Sequence, residues 1–249
     1  MKKQLALLLM IGFACIANAQ KDEEIEYYTD DVVNRSKVFA SAHYSPYFLN
    51  RNIISSESFP DDPVNVILNS SAKGGYGYAI GIDLYYKLNK GLNLGLGVNR
   101  SAGSYTIDYK QALETAGFPT DSLAGDYIMT TNVSYINIPL QFMYGISMND
   151  LWDLEVVPQI EMNIVDNINR TATQTFDDER GNLGDQTDKA QQINWTVGIG
   201  IGINYYISES FSFFLRPQVR YMLRPMIPND ELNEVLLWLG GQAGLRLYF

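Results

Sequence analysis

Residues 192–206 alternate apolar with small or polar side chains along their whole length. Ile193, Trp195, Val197, Ile199, Ile201, Ile203 and Tyr205 fall on one face, and Asn194, Thr196, Gly198, Gly200, Gly202 and Asn204 on the other. No helix gathers residues spaced by two onto one face, so the period predicts an extended strand. Residues 76–88 repeat the design, with Tyr76, Tyr78, Ile80, Ile82, Leu84, Tyr86 and Leu88 opposite Gly77, Ala79, Gly81, Asp83, Tyr85 and Lys87. Residues 235–249 do so again. Five further segments fit less regularly: 37–49, 92–107, 131–146, 152–166 and 211–225. Each strand is about 12 to 15 residues long. A tilted membrane-crossing strand needs about 9–11, and soluble strands average about 5–6.

The connections sort into two kinds. Residues 89–91, 147–150 and 208–210 are tight turns built from Asn, Gly, Ser and Asp. Residues 50–74, 108–130, 167–191 and 226–234 are longer, and long and short alternate strictly. This predicts an all-β fold, a closed antiparallel transmembrane β-barrel of about eight strands with four long extracellular loops and short periplasmic turns. An even strand count puts both ends of the barrel on the periplasmic side. Pro46, Pro139, Pro158 and Pro217 lie within strands, where each removes a ladder donor, and are expected to mark bulges.

The two faces differ chemically. In a membrane barrel the Ile-, Leu-, Val- and Tyr-rich face meets hydrocarbon and the other lines the lumen. The lumen face carries Asp83, Glu155, Glu161, Arg216, Arg220, Arg224 and Arg246. Charges removed from bulk water need partners, and an eight-strand interior is about wide enough for side chains to fill. The expectation is an Arg–carboxylate network filling the lumen. The alternative is separate hydrated charges along a water-filled bore. Tyr85, Tyr86, Tyr144, Trp152, Tyr205, Tyr206, Phe211, Tyr248 and Phe249 cluster near the short-turn end, as a periplasmic aromatic girdle would.

Composition narrows the rest. Only 18% of the 249 residues are charged and the net charge is −10, so the chain lacks the basic footprint of a nucleic-acid binder. The first residues read as an export signal, with Lys2 and Lys3, an apolar run from Leu5 to Ile16, and Ala17-Asn18-Ala19. Cleavage is expected between Ala19 and Gln20. Cys15, the single cysteine, would be lost with this leader. A lipoprotein signal would instead attach lipid to Cys15, but Leu is missing three positions before it. The expected organisation is a signal peptide over 1–19, an acidic periplasmic arm over 20–36, and the barrel over 37–249.

Four features carry a resemblance to a known family: the Ala-Asn-Ala-Gln leader end, the Gly/Tyr-rich hairpin at 75–98, the strand Tyr135-Ile136-Asn137-Ile138-Pro139-Leu140, and the ending Gly244-Leu245-Arg246-Leu247-Tyr248-Phe249. Over about residues 37–249 the chain resembles the PorT-like outer-membrane β-barrel family, common in Bacteroidota. The resemblance implies an integral outer-membrane barrel, and its namesake implies a part in type IX secretion. A terminal Phe249 on an alternating strand resembles the signal read by the barrel-assembly machinery.

Candidate chemistry is sparse. His43 is the single histidine, flanked by Ser41 and Ser45 on the same strand face, and outer-membrane lipid hydrolases use a His and a Ser near the outer rim. One histidine does not make a His-rich metal site, although an oxygen-only Ca²⁺ site remains open, with Asp177-Asp178-Glu179 as a candidate. Asp121-Ser122-Leu123 resembles a short O-glycosylation acceptor pattern. No cofactor motif is present. The leading reading is a non-enzymatic structural or interaction barrel, such as a type IX secretion or envelope accessory. Its expected partners are outer-membrane lipid, the barrel-assembly machinery and an envelope or secretion protein. A narrow channel and a lipid hydrolase centred on His43 are the alternatives.

Overall fold

A computed structural model describes residues 37–54, 72–89, 91–108, 127–174, 180–185, 190–226 and 233–249. The strands are β1 Val38–Ile54, β2 Ala72–Lys87, β3 Leu92–Asp108, β4 Tyr127–Ser147, β5 Trp152–Gln174, β6 Arg180–Asp185, β7 Ile193–Tyr206, β8 Phe211–Met222 and β9 Asn233–Tyr248. All pairings are antiparallel. Eight strands close on themselves, with β1 beside β9 and β4 beside β5. The eight alternating segments are these eight strands. The ninth, β6, is an accessory strand that pairs with the upper part of β5, inside what the sequence pattern reads as the third long loop.

Following hydrogen-bonded neighbours around the barrel gives its stagger. From Tyr85 the row passes Gly95, Gln141, Gln159, Gly198, Arg220, Trp238 and Leu49, and meets β2 again at Gly75, ten residues from its start. Strands in such a barrel tilt by about 35–45° to the axis. The turns at one end are short. Gly91 there has φ of 86°, a conformation that costs glycine nothing. At the next turn Asn149 Oδ1 accepts from the backbone N–H of Leu151 and Trp152, both at 2.9 Å.

The apolar face points outward. Ile80, Ile82, Leu84, Leu96, Val98, Ile199, Ile201, Ile203, Leu215, Leu239 and Leu245 are all exposed, while Asp83, Glu155, Glu161, Arg216, Arg220 and Arg246 are buried. The outward run of β5 goes from Trp152 to Ile164 and ends at Asp166. At about 3.3 Å per residue and a tilt near 40°, that run covers about 30 Å along the axis. A bilayer's hydrocarbon core is about 30 Å thick.

Above that belt the pattern inverts within single strands. In the lower part of β4, Ile136, Ile138, Leu140 and Phe142 face out while Asn137 and Gln141 are buried. Higher on the strand, Thr130, Asn132 and Ser134 face out while Met129, Val133 and Tyr135, with Thr131 among them, are buried. The inside becomes apolar where the outside becomes polar, as a strand leaving lipid for water requires.

The prolines are not bulges. Each sits where one of its two ladders skips two residue pairs and resumes in the same register. Between β1 and β9 the pairs run Tyr44 with Ala243 and then Tyr47 with Gly240, around Pro46. Pro139 falls in the same kind of gap toward β3, Pro158 toward β4, and Pro217 toward β7. A missing N–H breaks pairing on one side only, and the other ladder holds the register. Two register shifts fall in the wall, one between Gly74 and Gly77 against β3 and one between Ser134 and Tyr135, opposite Asp166.

Candidate functional site: the barrel lumen

The lumen fills from the short-turn end upward in layers. Phe39, Tyr85, Met143 and Val157 form a buried apolar floor, with Tyr248 packed against it. Phe39 and Tyr85 stack with centroids 4.8 Å apart.

On this floor lies the largest charged cluster. Glu155 receives both Arg246 and Arg216. Arg246 Nη1 donates to Oε1, Arg246 Nη2 to Oε2 at 2.7 Å, and Arg216 Nη2 reaches Oε2 at 3.5 Å. Arg216 Nη1 also donates to Gln242 at 3.1 Å and Gln141 at 3.3 Å. The guanidinium of Arg246 lies 4.5 Å from the Phe214 ring centroid and also near Phe39 and Tyr85. Each cation is thus held by a carboxylate at its edge and an aromatic face beside it.

Asp83 joins the cluster without touching an arginine. Gln141 Nε2 donates to its Oδ1 at 3.0 Å, and Tyr85 OH donates to Gln141 Oε1 at 2.8 Å. Ser41 Oγ donates to Asp83 Oδ2 at 3.0 Å, and His43 Nδ1 lies 3.1 Å from the same oxygen. Serine and imidazole therefore meet one carboxylate rather than each other. His43 is buried in the barrel wall's interior, and its Nε2 abuts Gly81, where an added Cβ would come within 2.9 Å. This is not the rim-exposed His–Ser pair of a hydrolase.

One layer higher, Arg220 Nη1 bonds Glu161 at 3.2 and 3.3 Å, between the rings of Trp238 and Tyr47 at 5.4 and 5.5 Å. The long-loop half is then closed by an apolar plug that includes Leu49, Tyr105, Ile107, Val133, Tyr135, Ile168, Leu236 and Trp238. Within it Glu234 accepts from Arg51 at 3.0 Å, Arg170 at 2.9 Å and Tyr105 OH at 2.8 Å.

Glycines make room for these long side chains. A Cβ on Gly200 would lie 2.5 Å from Arg216 Cδ, and one on Gly198 2.8 Å from Arg220 Cγ. The arginine stems lie flat across the bare backbone of β7.

Of the seven residues expected in the network, six are buried in the lumen, and Arg246, Arg216, Glu155 and, through Gln141, Asp83 form one connected group. Arg220 and Glu161 make a separate pair. Arg224 is a correction. β8 ends at Met222, the chain bends at Leu223 and Arg224, and the Arg224 side chain is exposed. Its backbone oxygen, not its guanidinium, takes part inside, accepting from Asn194 Nδ2 at 3.1 Å. Pro225 supplies no N–H to continue the ladder, and the alternation ends with it.

The Arg51–Glu234–Arg170 cluster falls in segments that the sequence pattern reads as loops, so it is not among the expected lumen charges. The signal was present in β1, where Tyr47, Leu49 and Arg51 continue the inward series beyond 49. The sequence pattern also passes over Gln141 as a bridge. Among the described residues no group of three His, Cys, Asp or Glu side chains converges as a metal site would. Ala19, Gln20, Ser122 and Asp177-Asp178-Glu179 lie outside the described residues. Phe249 is exposed at the short-turn end, its N–H 3.4 Å from the Val38 oxygen.

No curated protein matches the chain. Among solved structures it is similar to Neisserial surface protein A (NspA), at 14% identity and TM-score 0.46, over 86% of this chain and 98% of that one. It is also similar to the outer membrane protein OprG from Pseudomonas aeruginosa, at 9% identity and TM-score 0.45, over 86% and 97%. A third is the outer membrane protease OmpT from Escherichia coli, at 8% identity and TM-score 0.44, over 85% and 96%. The family described as "Outer membrane protein beta-barrel domain" matches residues 38–225, well over half of the chain and most of the closed barrel. With its lipid-facing belt and enclosed charges, the chain belongs to the outer membrane protein β-barrel domain family.

Proposed function

We propose that this outer-membrane barrel is a structural or interaction protein, sealed against permeation, that presents its long-loop end outside the cell and keeps both ends of the barrel in the periplasm. One observation carries the reading. The lumen is filled from Phe39 and Tyr85 at one end to Leu236 and Trp238 at the other, and its charged side chains Asp83, Glu155, Glu161, Arg216, Arg220 and Arg246 are buried. A channel needs a hydrated path, and among the described residues Tyr47, Leu49 and Trp238 are buried in the apolar cluster that fills the long-loop half. The hydrolase alternative loses support for a related reason, because His43 lies inside the packed wall.

In this reading the Arg–carboxylate network holds the strands together from within. Lipid covers the outward belt, and the barrel-assembly machinery reads the terminal strand ending in Phe249. The PorT-like resemblance supports an accessory role in type IX secretion or the envelope, with a protein partner met through the long loops. Planar-bilayer recording of the purified barrel tests the central claim. Silence under voltage is expected. A steady, ohmic single-channel conductance overturns it. Cross-linking in native outer membranes, through a residue introduced at Asn50 or Asn52 on the long-loop end of β1, tests the partner.

A further inference from the structure

Among the lipid-facing positions of β3, one does not fit hydrocarbon. Leu92, Leu94, Leu96 and Val98 face out, and the next outward residue is Arg100. It pairs laterally with Ile80 on β2 and Ile136 on β4, and Ile136 pairs in turn with Ile164 on β5. All of these flanking side chains belong to the apolar belt, so the Arg100 backbone sits one rung below the polar boundary of its neighbours. Its side chain remains mostly exposed, at 73%. The guanidinium reaches across Ile136 to Asp166, where Nη2 donates to Oδ2 at 2.7 Å. Ser134 Oγ donates to the same oxygen at 3.2 Å. Asp166 is the extra residue of the register shift in this wall, since Tyr135 pairs with Val165 and Ser134 with Asn167. The bulge places the carboxylate outward at the height where the apolar run stops.

An ion pair this exposed adds little to folding. A cation rooted among lipid-facing aliphatic residues is unfavourable unless its head reaches the interface. The arrangement holds one edge of a planar guanidinium against Asp166 and leaves the rest turned to the surface just above an aliphatic wall. Guanidinium edges match phosphate oxygens, and the single Ser134 O–H is spent on Asp166, which holds the carboxylate beside the cation. We infer that Arg100, positioned by Asp166 and Ser134, binds the phosphate of a membrane lipid whose acyl chains lie along Ile80, Val98 and Ile136. The inference rests on the outward belt facing lipid, and not on a sealed lumen or on any partner of the loops.

Native mass spectrometry tests it with the full barrel released from nanodiscs holding equal phosphatidylglycerol and diacylglycerol of the same chains. The wild type is expected to retain phosphatidylglycerol in preference to the phosphate-free lipid. Arg100→Leu, which suits a lipid-facing position, should lower the retained fraction several-fold, while Asp166→Asn should keep most of it. Heat-modifiable gel migration of both variants checks that each is a folded barrel. Equal retention in Arg100→Leu, or equal retention of diacylglycerol, overturns the site. Displacement of the adduct by millimolar inorganic phosphate would replace the lipid with a free anion and overturn the lipid assignment. Conductance is unaffected by either result, so this test and that of the sealed barrel fail separately.

Discussion

At the scale of single residues, the lumen depends on charges whose partners come from distant parts of the chain. Glu155 serves two arginines, 61 and 91 residues away in sequence. Removing one member of a buried ion cluster costs about 3–5 kcal/mol, because the remaining charges stay buried without compensation. Glu155→Gln should therefore lower the thermal unfolding midpoint of the detergent-solubilised barrel markedly, and Glu155→Gln with Glu161→Gln further still. Unfolding followed by circular dichroism measures both, and unchanged midpoints would show the network to be dispensable. Glycine positions give an independent test. Gly200→Val drives a side chain into Arg216, an overpacking that costs about 1–3 kcal/mol. Gly241→Val, at an outward position whose nearest neighbour lies 3.9 Å from an added Cβ, should be close to neutral in the same assay. Alternation along the strands shows which residues point inward. It does not show that Asp83 meets His43 and Gln141 instead of an arginine, because that depends on the relative height of strands separated by the ten-residue stagger.

At the scale of the strands, two features decide how each crosses the membrane. One is the inversion of faces within β4 and β5. A charge on the lipid face at the bilayer midplane costs about 2–4 kcal/mol, and little near the interface. Leu140→Arg should thus impair spontaneous insertion into vesicles strongly, whereas Asn132→Arg, eight residues higher on the same face, should insert as well as the wild type. Intrinsic fluorescence during refolding reads the difference, and equal impairment would place the boundary elsewhere. The other feature is the prolines. Since each leaves the register intact, Pro217→Val should be neutral or slightly stabilising, by up to about 1 kcal/mol. A loss of folding would mean the position needs its kink. The sequence located all four prolines inside strands but read them as bulges, because a lost donor and an added residue disturb alternation alike. Only pairing on both sides tells them apart.

At the scale of the whole molecule, closure leaves no open edge in the membrane-spanning wall, and the proposed seal rests on the side chains that fill the interior. The plug is concentrated in large side chains, with Tyr47 and Trp238 flanking Arg220. Tyr47→Ala with Trp238→Ala should admit water to the upper lumen and produce small conductance events in planar bilayers where the wild type is silent. Silence in a variant shown to be folded would mean the lower layer of Arg216, Glu155 and Arg246 is itself a sufficient seal.

Alternation along the chain is enough for the number of barrel strands, the short turns, the face that meets lipid and six of the enclosed charges, but not for the pairing of Arg51 with Glu234 or for the exposure of Arg224. What it reaches follows from the period-two repeat and from the different solvation of the two faces. It stops short where periodicity stops. The upper extensions of β4 and β5, the accessory β6, and the end of β8 before Arg224 are not legible, because above the bilayer polar and apolar positions exchange sides and the repeat no longer names a face, whereas in β1 the inward series runs on through Arg51. Partner choice in the lumen, the bridging role of Gln141 and the reach of Arg100 to Asp166 were decided by tertiary structure alone. Stagger and tilt set which side chains share a height, and no local pattern along one strand carries that information.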